Sequence, residues 1–165
     1  MSDVSKSADI SLCGKYRYRL TRVWTPRPML PVVMLNPSTA DADFDDPTIR
    51  RCMGFARREG HGGVLVGNLF GLRSPTPDIL RDHGQGAFGI GNESALLEIM
   101  AYAVQRGVPL LCAWGVYGAI FGAGAEFVST ARHIGVPLVC LGKTKEGHPR
   151  HPLYVRGDKP FEAFA

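Results

Sequence analysis

Three polar side chains follow short apolar runs of the sequence and could do chemistry together. The runs, which predict buried strands, are residues 32–35, 64–66 and 136–141. Asn36 follows the first run, Asn68 follows the second, and His151 lies in the segment after the last. An amide can position a water molecule, and an imidazole can donate or accept a proton near neutral pH. Since ligands bind at the carboxyl ends of parallel strands, the pattern predicts one active or binding site there.

The loop after the first run is rich in carboxylates, namely Asp41, Asp43, Asp45 and Asp46. Such a group could hold Mg²⁺, which prefers oxygen ligands. Asp46 is followed by Pro47, however, and this pair is typical of a helix N-cap with proline in the first turn. We therefore expect no bound metal, and a metal-dependent hydrolase built on this loop remains an alternative.

The order of apolar runs and helical patterns predicts the fold class. An N-capped helix follows the first buried strand, a second helix is expected over 92–106, a glycine-interrupted helix over 115–134, and a further buried strand over 110–114. Strands that alternate with helices indicate an α/β protein, here a three-layer α/β/α sandwich with a four-stranded parallel sheet plus an extra edge strand. Residues 1–11 are polar and are predicted to be a flexible terminus, with a single domain over 12–165.

Two basic segments could contact an anionic partner. Residues 13–24 alternate between apolar and basic side chains and predict a half-solvated edge strand, and the helix after Asp46 carries four arginines, at positions 50, 51, 57 and 58. Either basic face could track phosphates or could simply be solvated. The formal net charge of +4 permits a nucleic-acid partner but does not require one.

Other features restrict the class of protein. The sequence has no apolar run long enough for a membrane span and no signal-peptide pattern, so we expect no membrane partner. The four cysteines form no C-x-x-C pair, which favours free thiols and a cytoplasmic location. No Walker A motif, dinucleotide-binding glycine motif or G-x-S-x-G elbow is present, and we expect no cofactor.

Four motifs in order carry a resemblance to a known family. They are the segments 35–41, 46–52, 67–70 and 149–154, which read LNPSTAD, DPTIRRC, GNLF and PRHPLY. Together they resemble the bacterial family called domain of unknown function 1643 (DUF1643), from about Tyr16 to Tyr154. This resemblance identifies a family and implies no particular reaction.

A more distant resemblance implies an activity. Asn36-Pro37 resembles the first motif of the mismatch-specific branch of the uracil-DNA glycosylase superfamily, with Met34 in place of Gly, and His151-Pro152 resembles the superfamily's His-Pro-Ser motif, with Leu153 in place of Ser. The resemblance implies a uracil-DNA-glycosylase-like fold and places the base-reading asparagine at Asn68. The missing serine belongs to the clamp on the DNA backbone, so single-stranded nucleic acid or a nucleotide is the expected partner.

The chemistry of the activity that the resemblance implies, hydrolysis of an N-glycosidic bond, suggests roles for individual residues. Asn36 would position water, Asp41 would activate it or stabilise the cationic sugar, and His151 would donate to the departing base. Each of these residues could instead be structural. The expected substrate-binding residues are Pro37, Ser38, Phe44, Asn68, Phe70, Arg73, Lys145 and Arg150, with the phenylalanines stacking on a base.

The sequence thus predicts a nucleobase-recognising enzyme that acts on DNA or on a modified nucleotide. Two alternatives stay open at this stage. One is a non-catalytic protein that binds nucleic acid or a nucleotide, and the other is the metal-dependent hydrolase of the acidic loop.

Overall fold

The computed structural model describes residues 3–165, which form one sheet of seven strands with four α-helices. The strands are β1 (Ser5–Ile10), β2 (Arg17–Val23), β3 (Met29–Met34), β4 (Gly63–Asn68), β5 (Leu110–Cys112), β6 (Leu138–Cys140) and β7 (Glu162–Ala163). The helices are α1 (Pro47–Arg58), α2 (Ile79–His83), α3 (Asn92–Arg106) and α4 (Ala123–Ile134). Short 3₁₀ segments span Gly84–Ala87, Val116–Gly122 and Pro152–Tyr154. None of the helices within residues 3–165 is both long and apolar enough to cross a membrane.

The sheet is mixed, with strand order β1-β2-β4-β3-β5-β6-β7. Its centre consists of four parallel strands, β4, β3, β5 and β6, as the apolar runs predicted. The expectation of one additional edge strand is wrong, because β2 pairs antiparallel with β4, β1 with β2, and β7 with β6. The short polar strands β1 and β7 form the edges, where they gain stability by pairing rather than by burial.

Helices cover both faces of the parallel strands. On one face, Ile49, Cys52 and Phe55 of α1 pack in a core with Val32 of β3 and Val64 of β4. On the other face, α3 and α4 pack in a second core with Val33, Leu65 and Cys112, among others. Successive residues of a strand point to opposite faces, which explains why the central runs are apolar without alternation.

The helix that follows β3 and the helices that follow β4 and β5 lie on opposite faces of the sheet. At the carboxyl end of β3 the chain therefore leads to one face of the sheet, whereas at the ends of the neighbouring strands β4 and β5 it leads to the other face. In open α/β sheets, such a point leaves a crevice in which ligands bind.

The prediction of a flexible terminus over 1–11 is wrong for Ser5–Ile10, which forms β1 (residues 1 and 2 lie outside the described part of the chain). Ser7 pairs with Thr21, and the two hydroxyl groups lie 2.6 Å apart. The polar composition of this segment fits an edge strand, whose outer side faces water.

The prediction that β2 presents a solvated basic face is also wrong. Arg17 and Arg22 are buried, with 2% and 0% of their surface exposed, whereas Arg19 stays at the surface beside Asp9 and Glu98. The pairing with β1 shifts between Arg19 and Arg17, so Tyr18 is the additional residue of a β-bulge. Without the bulge Arg17 and Arg19 would share a face; with it, Arg17 turns toward the carboxyl edge of the parallel strands.

The arginines of α1 contact the protein rather than forming a free basic face. Arg50 donates to the Asp45 carbonyl, and Arg57 Cζ lies 4.0 Å from the ring centroid of Trp24. Arg58 donates to the Gly157 and Lys159 carbonyls. Arg51 donates to the carbonyls of Pro152 and Val155. The contacts of Arg51 and Arg58 anchor the C-terminal segment on α1. Because all four arginines contact the protein, α1 is less suited to bind phosphate groups.

The continuous helix expected over 115–134 is interrupted. Backbone angles at Ile120 and Phe121 are non-helical, with Phe121 at φ +52°, so α4 begins only at Ala123. The preceding 3₁₀ segment packs Gly118 against the Trp114 indole, where a Cβ would lie 2.1 Å from the ring. This close approach holds the wall of the cavity described next.

Candidate functional site

A cavity of about 740 Å³ opens at the carboxyl ends of the parallel strands. Asn36, Asn68 and His151 all line it, so the structure brings together the three side chains that were expected to meet. Pro37, Ser38, Lys145 and Arg150 line it as well. The roles assigned to these residues in catalysis and binding stay predictions.

Asn36 ties two loops together at the cavity wall. Its Nδ2 donates to the carbonyls of Pro37, Leu72 and Ser74 at 3.1–3.3 Å. These three acceptors fix the orientation of the amide, and no described residue donates to its Oδ1. The Asn36 amide therefore has an oxygen left to accept a hydrogen bond from water or from a ligand.

Asn68, at the end of β4, is buried with 1% of its surface exposed. Its Oδ1 accepts from Arg17 Nη2 at 3.4 Å, and its backbone carbonyl accepts from Asn92 Nδ2 at 2.9 Å. Among the described residues, its own Nδ2 has no partner. Asn92 Nδ2 also donates to the Leu69 carbonyl, so this first residue of α3 is a buried brace for the end of β4.

Asp46 is both the N-cap of α1 and a residue of the cavity wall. One carboxylate oxygen accepts from the Ile49 amide at 2.9 Å, and the other accepts from the Ala40 amide at 3.3 Å. The predicted N-cap is thus confirmed. The carboxylate also places a negative charge in the cavity that Arg17 and His151 line, and this charge opposes the burial that lowers the pKa of each.

His151 lines the cavity, and a backbone contact fixes which ring nitrogen can donate. Its Nδ1 accepts from the Leu153 amide at 3.2 Å, so the neutral ring carries its proton on Nε2. Burial lowers the pKa of His151 below its usual value, and the nearby Asp46 charge opposes this only in part. Arg51 holds the same turn through the Pro152 and Val155 carbonyls, which makes it a positioning residue for the imidazole.

We expect His151 to remain neutral at pH 7 and to titrate with a midpoint below 6.5. Because the folded-state pKa is depressed, protonation favours the unfolded chain. The contribution of this group to the free energy of unfolding is therefore complete above pH 6.5 and is lost as the pH falls through the lower folded pKa. Long-range ¹H–¹⁵N spectra of the imidazole can report both the Nε2–H tautomer and the midpoint.

Comparison with His151→Gln isolates this contribution, since burial also lowers the pKa of His61 and both histidines act in the same direction. A midpoint at or above 6.5, or an Nδ1–H tautomer, would contradict the assigned state of His151.

Four of the predicted site residues do not line the cavity. Phe70 is fully buried in the core and stacks on Phe88 with ring centroids 4.6 Å apart, so its expected stacking on a base is wrong. Phe44 is 55% exposed outside the cavity, and Arg73 donates to the Gly14 carbonyl.

Asp41, the fourth of these residues, closes a turn. Its Oδ1 accepts from the amides of Phe44 and Asp43 at 2.8 Å each, and these bonds lower the pKa of the carboxyl. The carboxylate that lines the cavity is Asp46 instead.

Several wall residues were missed from the sequence. Trp114, Val116 and Tyr117 follow β5 and line the cavity, which the rule of strand ends could have indicated. Tyr154 contributes an 81% exposed ring at the rim, 5.5 Å from the His151 ring centroid. The sequence around Arg17 gave no local signal that this residue lines the cavity, because the bulge that turns it inward arises from pairing between β1 and β2.

The described residues contain no group of three or more histidine, cysteine, aspartate or glutamate side chains disposed to hold a metal ion. In the acidic loop, Asp41, Asp45 and Asp46 each accept hydrogen bonds from the protein. This arrangement favours a structural role for the loop over the metal-dependent alternative.

The cavity therefore combines a neutral imidazole donor, a buried amide donor, a buried guanidinium and exposed aromatic rings. No curated protein and no solved structure matches the chain. The family model described as a protein of unknown function (DUF1643) matches residues 17–153, and the chain belongs to that family.

Proposed function

We propose that this protein hydrolyses the N-glycosidic bond of a nucleobase in DNA or in a modified nucleotide. Support comes from His151, whose Nδ1 accepts from a backbone amide and whose Nε2–H is thereby left to face a ligand. A neutral donor of this kind stabilises negative charge that develops on a departing base. A uracil-DNA-glycosylase-like fold is part of the proposal, since the four parallel strands place Asn36-Pro37 and His151-Pro152 at one edge.

In the reaction, the bond between the sugar anomeric carbon and the base nitrogen breaks, and its electron pair stays on the base. Water adds to the anomeric carbon, and its proton ends on the base or in solvent. Asn36 Oδ1 would orient that water, and Asp46 would stabilise the cationic sugar in place of Asp41. The exposed ring of Tyr154 is a stacking surface for the base.

Base release is the direct test. The full chain is incubated with single-stranded and duplex oligonucleotides that each carry one modified base, and with the matching nucleosides. Free base is measured by mass spectrometry, and abasic sites by alkaline cleavage. We expect release from at least one substrate, unaffected by EDTA.

The contrary outcomes separate the alternatives. Saturable binding without release would replace the hydrolase with a nucleotide-binding protein. One observation favours that second candidate. Both oxygens of Asp46 already accept backbone hydrogen bonds, which is a structural role for the carboxylate that the proposed reaction would use. Release that EDTA abolishes would restore the metal-dependent alternative.

A further inference from the structure

Arg17 is a cavity residue that the proposed reaction does not use. It lies at the start of β2, turned inward by the bulge at Tyr18, and only 2% of its surface is exposed. Burial lowers the pKa of Arg17 to about 10, so the guanidinium still carries its charge at neutral pH. It forms no ion pair within hydrogen-bonding distance among the residues that the structure describes.

Hydrogen-bond donors exceed acceptors around this guanidinium. Nη1 donates to the Ala40 carbonyl at 2.9 Å and Nη2 donates to Asn68 Oδ1 at 3.4 Å. Arg17 Nε and Asn68 Nδ2 have no partner in the described chain. The third buried polar atom without a partner, Asn92 Oδ1, belongs to a residue that does not line the cavity.

Arg17 also decides what Asn68 can recognise. A free asparagine amide can pair with an edge that alternates donor and acceptor, as the pairing edge of uracil does. Here Oδ1 is directed to Arg17, so the amide offers its N–H groups only. Buried donors without acceptors are destabilising, and a ligand edge that carries acceptors alone would satisfy them.

Two kinds of ligand carry acceptors alone, namely an anionic group and a neutral base edge, and the charges in the cavity distinguish between them. Asp46 lines the same cavity, and its charge raises the pKa of Arg17 against the effect of burial. A carboxylate beside the guanidinium compensates its charge and would repel a phosphate or carboxylate group. Arg17 and Asn68 therefore fit a neutral edge with two adjacent acceptors better than they fit an anion.

Within the proposed function, we propose that Arg17 and Asn68 form a donor-only pair that selects 6-oxopurine bases through their O6 and N7 acceptors. These two atoms are the adjacent acceptors that arginine reads in guanine. Adenine presents an amino donor beside N7, and uracil presents an N–H beside its carbonyl groups. The substrate class is then a hypoxanthine-, guanine- or xanthine-type base on a deoxyribose or ribose.

The test compares ligands that differ in one atom. Binding of 2′-deoxyinosine and of 7-deaza-2′-deoxyinosine, which lacks the N7 acceptor, is measured by calorimetry with the full chain. We expect 2′-deoxyinosine to bind roughly 10- to 100-fold more tightly than the 7-deaza analogue, and more tightly than 2′-deoxyadenosine or 2′-deoxyuridine.

Two variants connect this preference to the pair. Arg17→Lys keeps the charge but loses the planar donors, and it should abolish most of the difference between the two ligands. Asn68→Asp forms an ion pair with Arg17, which protects the fold, and should weaken 2′-deoxyinosine binding about tenfold or more. Arg19→Lys is the matched control, because Arg19 lies on the same strand with its side chain directed to Glu98.

Released hypoxanthine is recorded in the same samples, so the two proposals can fail separately. Base release without preference for 2′-deoxyinosine would overturn the role of the donor pair and leave the hydrolase intact. Preference without release would support the pair and reject hydrolysis. Inorganic phosphate that competes with 2′-deoxyinosine in an Arg17-dependent way would identify an anion site and overturn the inference, as would failure of all four nucleosides to bind.

Discussion

Replacement of His151 by alanine is expected to lower turnover of the N-glycosidic substrate by about 10²-fold or more. The substitution removes the Nε2–H donor of a residue that lines the cavity, so in the proposed reaction the charge on the departing base is no longer stabilised. Since this hydrogen bond strengthens only as the base becomes anionic, the loss should appear in kcat with little change in KM.

His151→Asn and His133→Ala provide the controls. Asparagine can accept from the Leu153 amide through its oxygen and donate through its nitrogen, so it should recover part of the activity. His133 lies exposed in the last turn of α4, and its removal should leave turnover unchanged. Full activity of His151→Ala would remove the imidazole from the mechanism and leave a binding cavity.

The central part of the fold could be predicted because its signals are local. Continuous apolar runs indicated strands buried on both faces, and Asp46-Pro47 indicated the start of α1, with the Asp46 carboxylate accepting from the Ile49 amide. The convergence of Asn36, Asn68 and His151 followed from one rule about the carboxyl ends of parallel strands.

The edges of the sheet could not be predicted, because their stability is not local. The segment Ser5–Ile10 has a polar composition that indicates disorder, yet it is a strand because β2 offers unpaired backbone groups. Arg17 alternates with Tyr16 and Tyr18 as a solvated side chain would, whereas Arg22 interrupts the alternation at a position that shares the face of Leu20. Both arginines have acceptors in the loop after β3, and Arg17 has another at the end of β4, at sequence separations that no periodicity reports.

The errors in the candidate site have a related cause. Phe70 and Asp41 have residue types suited to stacking and to water activation, and they lie next to motif residues in the sequence. Their side chains are nevertheless used by the fold, one in the core and one in a turn. Residue type and sequence position therefore located the cavity, while side-chain direction decided which residues line it.

Arg22→Met is expected to lower the free energy of unfolding by roughly 3–5 kcal/mol, which is typical when one partner of a buried ion pair is removed. Arg22 Nε donates to Asp45 Oδ1 at 2.6 Å, and Arg22 itself is fully buried. Its other groups donate to four backbone carbonyls, those of Ser7, Thr21, Asp41 and Phe44. Without the guanidinium, these carbonyls and the Asp45 carboxylate lose their donor in a poorly hydrated site.

Urea denaturation measures the loss, and Arg19→Met on the same strand is the control, because partly exposed ion pairs contribute only about 0–1 kcal/mol. A double-mutant cycle with Asp45→Asn separates the ion pair from the carbonyl contacts. Since the Asp41 and Phe44 carbonyls belong to the loop that leads from β3 to the α1 N-cap, amide exchange over 41–46 should accelerate in Arg22→Met. If Arg22→Met loses no more stability than Arg19→Met, then the acidic loop is held by its own turns and by Asp46, and Arg22 does not organise this wall of the site.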